Sequence, residues 1–172
     1  NPIHHMQSRL KTIQSMLEKL KRKNYEVSIN SAVKNLQDIA GIRVICSYVQ
    51  DVYTIANLLV SQDDVHLVRM ADYIREPKPN GYRSLHLIVE IPVFLSEGRI
   101  LVPVEVQIRT IAMDFWASLE HSLRYKAQEY IPQHISDELQ RVATDIASLD
   151  QRMQAIHDQV DELSDARSDN AT

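Results

Sequence analysis

The apolar positions of this 172-residue chain change period several times. Met6, Leu10, Ile13, Leu17 and Leu20 recur at steps of three and four, which predicts a helix over residues 6–23 with one buried stripe. Ser8, Lys11, Ser15, Lys19 and Arg22 fall within about 80° of one another on the opposite side of that helix. Asn24 is the expected stop, and residues 31–37 read as a short helix or turn. GIRVICSYV (Gly41 to Val49) is short and rich in β-branched residues, the pattern of a buried strand. Asp51 then caps a helix carrying Val52, Ile55, Ala56 and Leu59. VHLVRM (65–70) reads as a second, weaker strand.

PKPNGYRSLH, from Pro77 to His86, begins as a Pro/Gly loop and then alternates. A third strand is expected from near Tyr82, with Tyr82, Ser84, His86, Ile88 and Glu90 on one face. From Leu85 onward the other face, Leu85, Leu87, Val89 and Ile91, belongs to a core. In a fourth strand, Leu101 to Thr110, Val102, Val104, Val106 and Ile108 alternate with Pro103, Glu105, Gln107 and Arg109. Gly98 marks the turn that pairs the two strands as a hairpin. Pro92 and Pro103 lack ladder donors and belong at strand ends or on an edge. Thr110 caps a helix running to about Tyr130 with Phe115, Trp116, Leu119 and Leu123, and Pro132 ends it. Ile135, Leu139, Val142, Ile146, Leu149, Met153, Ile156, Val160 and Leu163 follow in a sustained heptad seam. The polar tail from 166 to 172 is expected to be disordered. This order of elements predicts an α+β or α/β sheet with helices packed on it.

Composition narrows the class. Hydrophobic residues make up 44% of the chain, enough for one sizeable core. No run is long and apolar enough for a membrane helix, and no segment reads as a signal peptide. The single cysteine, Cys46, excludes an internal disulfide and points to a reducing cytoplasm. Cys46 alternates with Ile42 and Val44, the placing of a core residue. A net charge of −4 does not indicate a nucleic-acid binder. Positive charge is local: Arg9, Lys11, Lys19, Lys21, Arg22 and Lys23 lie close together. The seven histidines show no zinc-ligand spacing, and three glycines leave no phosphate-binding glycine loop. The chain begins with Asn, so a longer parent chain is expected.

The hairpin carries the candidate chemistry. A solvated face would alternate in the same way. Yet Tyr82, Ser84 and His86 opposite Glu105, Gln107 and Arg109 place a phenol, an imidazole, an acid, an amide and a guanidinium on one surface, the groups of a ligand bed. Asp38 precedes the first strand. It reads either as a turn cap or, with Glu105, as a pair of Mg²⁺ ligands, since Mg²⁺ takes one or two carboxylates plus phosphate and water oxygens. The basic face of the first helix is either solvated or a polyphosphate site.

SRLKTIQSMLEKL, DIAGIRV, DYIREPKPNGYRSLH and VEVQIRT, followed by WASLEHSLRYK, together resemble the synthetase domain of the RelA/SpoT family over roughly residues 1–130. With no hydrolase or regulatory domain in the chain, the resemblance is to a small alarmone synthetase, and NPIHHM and IPVFL are similar to the kind called RelP. It implies a nucleotidyltransferase-like mixed sheet with flanking helices and a long C-terminal helix. Residues 1–131 would be the synthetase domain, lacking the family's N-terminal helices, and 132–165 a helix for packing or oligomerisation.

The implied activity moves the β,γ-pyrophosphate of ATP to the 3′-hydroxyl of GDP or GTP, with AMP leaving. The implied ATP side is Arg9, Lys11, Ser15, Lys19 and Arg43, with Arg9 off the shared helix face. The implied GDP/GTP side is Lys78, Asn80, Tyr82, His86, Gln107 and Arg109. There Tyr82 stacks on guanine, and an extended strand sets it about 13 Å from His86. Asp38 and Glu105 are the implied catalytic and Mg²⁺-binding carboxylates. Symmetric tetramers, a cytoplasmic location, no membrane and no nucleic-acid partner are also implied. Ala71, before Asp72, departs from the Lys or acid often found there and leaves the choice between GDP and GTP open. A toxin-type enzyme acting on the 3′ end of tRNA and a non-catalytic nucleotide-binding regulator are the alternatives.

Overall fold

The expected hairpin lies at the centre of a five-stranded sheet. A computed structural model describes residues 1–127 and 131–169. The strands are β1 (Ile3–Leu10), β2 (Ala40–Cys46), β3 (His66–Asp72), β4 (Leu85–Leu95) and β5 (Gly98–Thr110). The helices are α1 (Ile13–Arg22), α2 (Ile29–Asn35), α3 (Val49–Val60), α4 (Ile111–Lys126) and α5 (Gln133–Asp169). The sheet order is β1-β2-β5-β4-β3. Only β2 and β5 run parallel; the other neighbours are antiparallel. This is the mixed α+β architecture with a long C-terminal helix that the chain predicts.

The alternation places the core as read. Leu85, Leu87 and Val89 of β4 and Val104, Val106 and Ile108 of β5 are buried with Val44 and Cys46 of β2, against Val52 and Ala56 of α3. Burial pushes the Cys46 thiol up to about 11, as fits a core residue. Gly98 makes the β4–β5 turn at φ +128°, where a side chain would be strained. Pro103 sits one residue before β5 begins to pair with β2, and Pro92 lies beyond the last β3–β4 pair. Each proline therefore faces an unpaired strand side, as its missing N–H requires.

Several boundaries differ from expectation; strand β2, read as reaching Val49, ends at Cys46, and Val49 opens α3. Residues 6–23 are not one helix: Ile3–Leu10 is an edge strand on β2, and α1 starts at Ile13. Thr12 Oγ1 accepts from the Ser15 amide, a cap that closes the helix off from the strand. The predicted buried stripe fails with it, since Met6, Leu10 and Ile13 are exposed and only Leu20 is buried. Helix α3 begins before Asp51, whose carboxylate accepts from the Tyr48 amide from inside the first turn. Strand β4 begins at Leu85, leaving Tyr82 in the loop. Helix α5 continues to Asp169, so 166–169 are helical, whereas 170–172, like 128–130 at the expected end of α4, lie outside the described residues.

The two C-terminal helices are stapled by Trp116 Nε1, which donates to the Leu139 carbonyl at 3.0 Å. Leu139 and Ile146 of the seam pack beside Trp116, Ala117 and Ala143. The rest of the seam does not fold back: Leu149, Met153, Ile156, Val160 and Leu163 are exposed, as are Phe115, Leu119 and Leu123 of α4.

Asp150 of α5 is buried and accepts from Thr110 Oγ1 at 2.6 Å. Burial pushes its pKa up, while the Thr110 hydrogen bond and the Arg83 charge pull the other way. A carboxyl with a raised folded pKa favours the fold at low pH and loses that contribution as pH rises from the unfolded value, about 4, through the folded one. Asp150→Asn removes this titration. The stability of Asp150→Asn relative to wild type is therefore expected to climb across that window and level off above it. Urea unfolding at a series of pH values reads the difference, and a pH-independent one would contradict the assignment.

Candidate active site

The polar face of the sheet is assembled by register. β2 pairs with β5 so that Gly41 faces Glu105 and Arg43 faces Gln107. β1 pairs with β2 so that Gln7 faces Arg43 and Arg9 faces Gly41. Period-two alternation then brings these side chains to one surface. Gln7, Arg9, Arg43, Glu105 and Gln107 line a cavity of about 200 Å³ floored by Gly41. The strand conformation of residues 3–10 answers the difficulty of Arg9. It is off the helix face because it is not on the helix.

Asp38 lies just before β2 at the rim. Its Oδ2 takes Lys19 Nζ at 2.5 Å and Lys11 Nζ at 3.1 Å. Burial opposes ionisation of Asp38, but the two lysine hydrogen bonds and charges together hold its pKa below the usual range. Its Oδ1 is buried and has no partner. Ser15 is exposed and hydrogen-bonded to Thr12 rather than to Asp38.

Glu105 pairs with Ile88 and His86 with Gln107 in the β4–β5 ladder, so His86 meets Glu105 on the diagonal, with Nδ1 3.3 Å from Oε1. Gln107 Nε2 donates to Oε2 at 3.1 Å. The His86 hydrogen bond is the largest influence and lowers the Glu105 pKa; burial and the Asp38 charge push the other way. The carboxylates of Asp38 and Glu105 thus sense each other. A cation between them would relieve that repulsion, and the orphaned Asp38 Oδ1 is a free ligand atom. These donors fit Mg²⁺, with phosphate and water oxygens needed to complete its shell. Among the described residues, no cluster of three or more His, Cys, Asp or Glu could hold a metal by itself.

The loop and hairpin build an aromatic box. Tyr82 OH and His86 Nε2 are 2.8 Å apart and their ring centroids 5.8 Å. The extended-strand spacing of about 13 Å does not hold, because Tyr82 sits in the loop before β4 and folds back. Lys78 Nζ lies 4.5 Å from the Tyr73 ring and 4.7 Å from the Tyr82 ring, within cation–π range. Asn80 Oδ1 accepts from the Tyr82 amide and its Nδ2 donates to Glu120, so Asn80 shapes the loop from within. Beneath the ring, buried Arg109 donates to Tyr82 OH at 2.5 Å, Gln107 Oε1 at 2.9 Å and Asp114 Oδ1 at 3.2 Å. Asp114 also pairs with Arg43 at 3.5 Å. Burial, then the Arg109 charge, lowers the Arg43 pKa, and Asp114 offsets part of this. Ala71 lies opposite His86 in the β3–β4 pair.

Sequence reasoning missed Tyr73, Asp114 and Glu120. The Thr110 cap could have pointed to Asp114, which falls in the first turn it opens. Glu120 and Tyr73 carry no local signal, because their partners Asn80 and Lys78 reach them only through the loop.

Known proteins resemble this chain in sequence and fold. A family model described as the region found in RelA / SpoT proteins matches residues 8–130. The chain is 47% identical over 161 residues to the GTP pyrophosphokinase YwaC of Bacillus subtilis (strain 168), covering 94% of this chain and 77% of that protein. It is 40% identical over 168 residues to the GTP pyrophosphokinase YjbM of the same organism, covering 98% and 78%. The crystal structure of small alarmone synthetase 1 from Bacillus subtilis bound to its product pppGpp matches with a TM-score of 0.86 and 40% identity, over 92% of this chain and 80% of that one. Small alarmone synthetase 2 from Bacillus subtilis matches with a TM-score of 0.85 and 46% identity, over 92% and 83%. The chain belongs to the RelA/SpoT family.

Arg109→Ala would strand the part-buried Tyr82, Gln107 and Asp114 and the buried Ser84 hydroxyl. It is expected to cost about 1–3 kcal/mol in urea unfolding, and Arg109→Lys to recover little, because one ammonium cannot replace a guanidinium fork.

Proposed function

We propose that this protein is a small alarmone synthetase, a GTP pyrophosphokinase that transfers the β,γ-pyrophosphate of ATP to the 3′-hydroxyl of GDP or GTP and releases AMP. One observation carries the reading. A single sheet face joins a carboxylate pair, Asp38 and Glu105, ringed by Lys11, Lys19, Arg9 and Arg43, to an aromatic box built on Tyr82. Arg9, Lys11, Lys19 and Arg43, with Ser15 at the rim, bind and orient the ATP polyphosphate. Tyr82 stacks on guanine while Lys78, Asn80, His86, Gln107 and Arg109 hold the rest of the acceptor and the box itself. Glu105, oriented by His86 and Gln107, takes the 3′-hydroxyl proton. Asp38 and Glu105 would hold Mg²⁺, which would supply charge compensation for the transferring phosphates. Positioning two nucleotides in line provides most of the remaining acceleration.

Residues 1–131 form the catalytic unit in this reading and 132–165 the assembly helix. The exposed apolar stripes of α4 and α5 favour a homo-oligomer, in keeping with tetramers. A phosphate-transfer site, a buried lone cysteine and the absence, among the described residues, of a helix long and apolar enough to cross a membrane support a cytoplasmic enzyme.

Purified protein with labelled ATP and GDP, GTP or tRNA, with and without Mg²⁺, tests the reaction. AMP release is expected with GDP or GTP and Mg²⁺; release with tRNA alone would reassign the acceptor. Glu105→Gln and Asp38→Asn should each lower turnover about 100-fold or more, and near-wild-type rates would remove the residue from its role. Tyr82→Ala should weaken acceptor binding by about 1–3 kcal/mol. Light scattering at micromolar concentration is expected to give a multimer mass that Met153→Asp lowers; a monomer mass for the wild type would end the assembly proposal.

A further inference from the structure

Helix α5 has two faces in different surroundings. Its outer stripe is exposed, while its inner face meets the back of the aromatic box at two points. The first is Gly81, in the loop between Asn80 and Tyr82. At φ +89° it sits so close to α5 that a Cβ there would lie 2.5 Å from the Ala143 Cβ. Tyr82 itself packs on the cluster that contains Ala143. The crevice between the loop and α5 measures only about 10 Å³, a packed contact with no room for a ligand.

The second point is Thr110, fully buried and next in sequence to Arg109. Its Oγ1 accepts from the Met113 amide at 3.1 Å and so caps α4. A hydroxyl has a single proton to donate. With the cap occupying a lone pair, that proton goes to Asp150 Oδ2. Without an acceptor at 150, the hydroxyl either leaves a buried donor unmet or turns away from the cap. Either result disturbs the β5–α4 corner, which places Arg109 and Asp114 under Tyr82.

We propose that α5 forms the rear wall of the acceptor pocket, with Asp150 and Ala143 as positioning residues for the guanine nucleotide. Asp150 orients the Thr110 hydroxyl at the corner beside Arg109. Ala143 seats Gly81 and with it the loop that presents Lys78 and Tyr82. Neither residue reaches the ATP side, where Arg9, Lys11, Lys19 and Asp38 are carried by β1, the link after it, α1 and the turn before β2. The proposal rests on the reading that this loop receives GDP or GTP. It adds that the helix exposing the apolar seam also sets how well that nucleotide binds.

The test compares Asp150→Ala, Asp150→Asn and Ala143→Val in KM for GDP, KM for ATP, and direct binding of a fluorescent GDP analogue without ATP. Asp150→Ala and Ala143→Val are expected to raise the GDP KM and weaken analogue binding about five- to twentyfold, the scale of one buried hydrogen bond, with the ATP KM within about twofold. Asp150→Asn keeps an amide oxygen for Thr110 and is expected to match wild type on all three readouts. A general loss of structure would move both KM values together, and that outcome, or no change in either, overturns the proposal. Asp150→Asn behaving like Asp150→Ala overturns the Thr110 part. If Asp150→Ala does not fold, Ala143→Val and Asp150→Asn decide the matter. A wild type that binds the analogue yet makes no product sinks the catalytic reading alone, and the binding data on the variants still judge the wall. A wild type that binds no analogue sinks both.

Discussion

The parallel pairing of β2 with β5 is the constraint on which the site depends. It sets Gly41 against Glu105 and Arg43 against Gln107, and it brings the turn holding Asp38 to the rim of the same face. A parallel pair cannot be joined by a tight turn. The chain between these strands is spent on α3, β3 and β4, and β4 then returns antiparallel to β5 with His86 and the box. One pairing thus puts the basic side chains and the aromatic box on one surface, with the apolar side chains of the same strands buried beneath.

Such a face is electrostatically costly unless its charges are matched. Asp38 is held ionised by Lys11 and Lys19, and Glu105 by His86, while Asp114 stands between Arg43 and Arg109. Each carboxylate has a cation or imidazole partner from another element. These contacts fix the charged side chains of the face relative to one another. Among the described residues of this face, Asp38 Oδ1 and Arg43 Nε are buried with no hydrogen-bond partner.

Helix α5 extends the same economy outward. Its inner face supports the β5–α4 corner and the loop at Gly81, and its outer face leaves an apolar stripe with no intramolecular cover. In the proposed reading, a helix used on both faces ties the acceptor pocket to whatever covers that stripe.

Much of this was legible before any coordinates. The alternation on β4 and β5 separated core from site residue by residue, because a strand's side chains have only two directions. Thr110 and Gly98 marked their helix start and turn, and the heptad seam marked an apolar stripe for packing or oligomerisation without deciding between them. What the chain alone did not determine depended on distant partners. Residues 3–10 carry an apolar spacing a helix could use, and only pairing with β2, some thirty-five residues on, makes them a strand and swings Arg9 into the cavity. Tyr82 reaches His86 because a turn at Gly81, seated on α5, folds the loop back. Asp114 joins two arginines that only the sheet order makes neighbours. Local patterns encode which face is greasy and where an element starts. Which polar groups meet across that face is decided by long-range pairing, whose energy appears only when the chain has closed on itself.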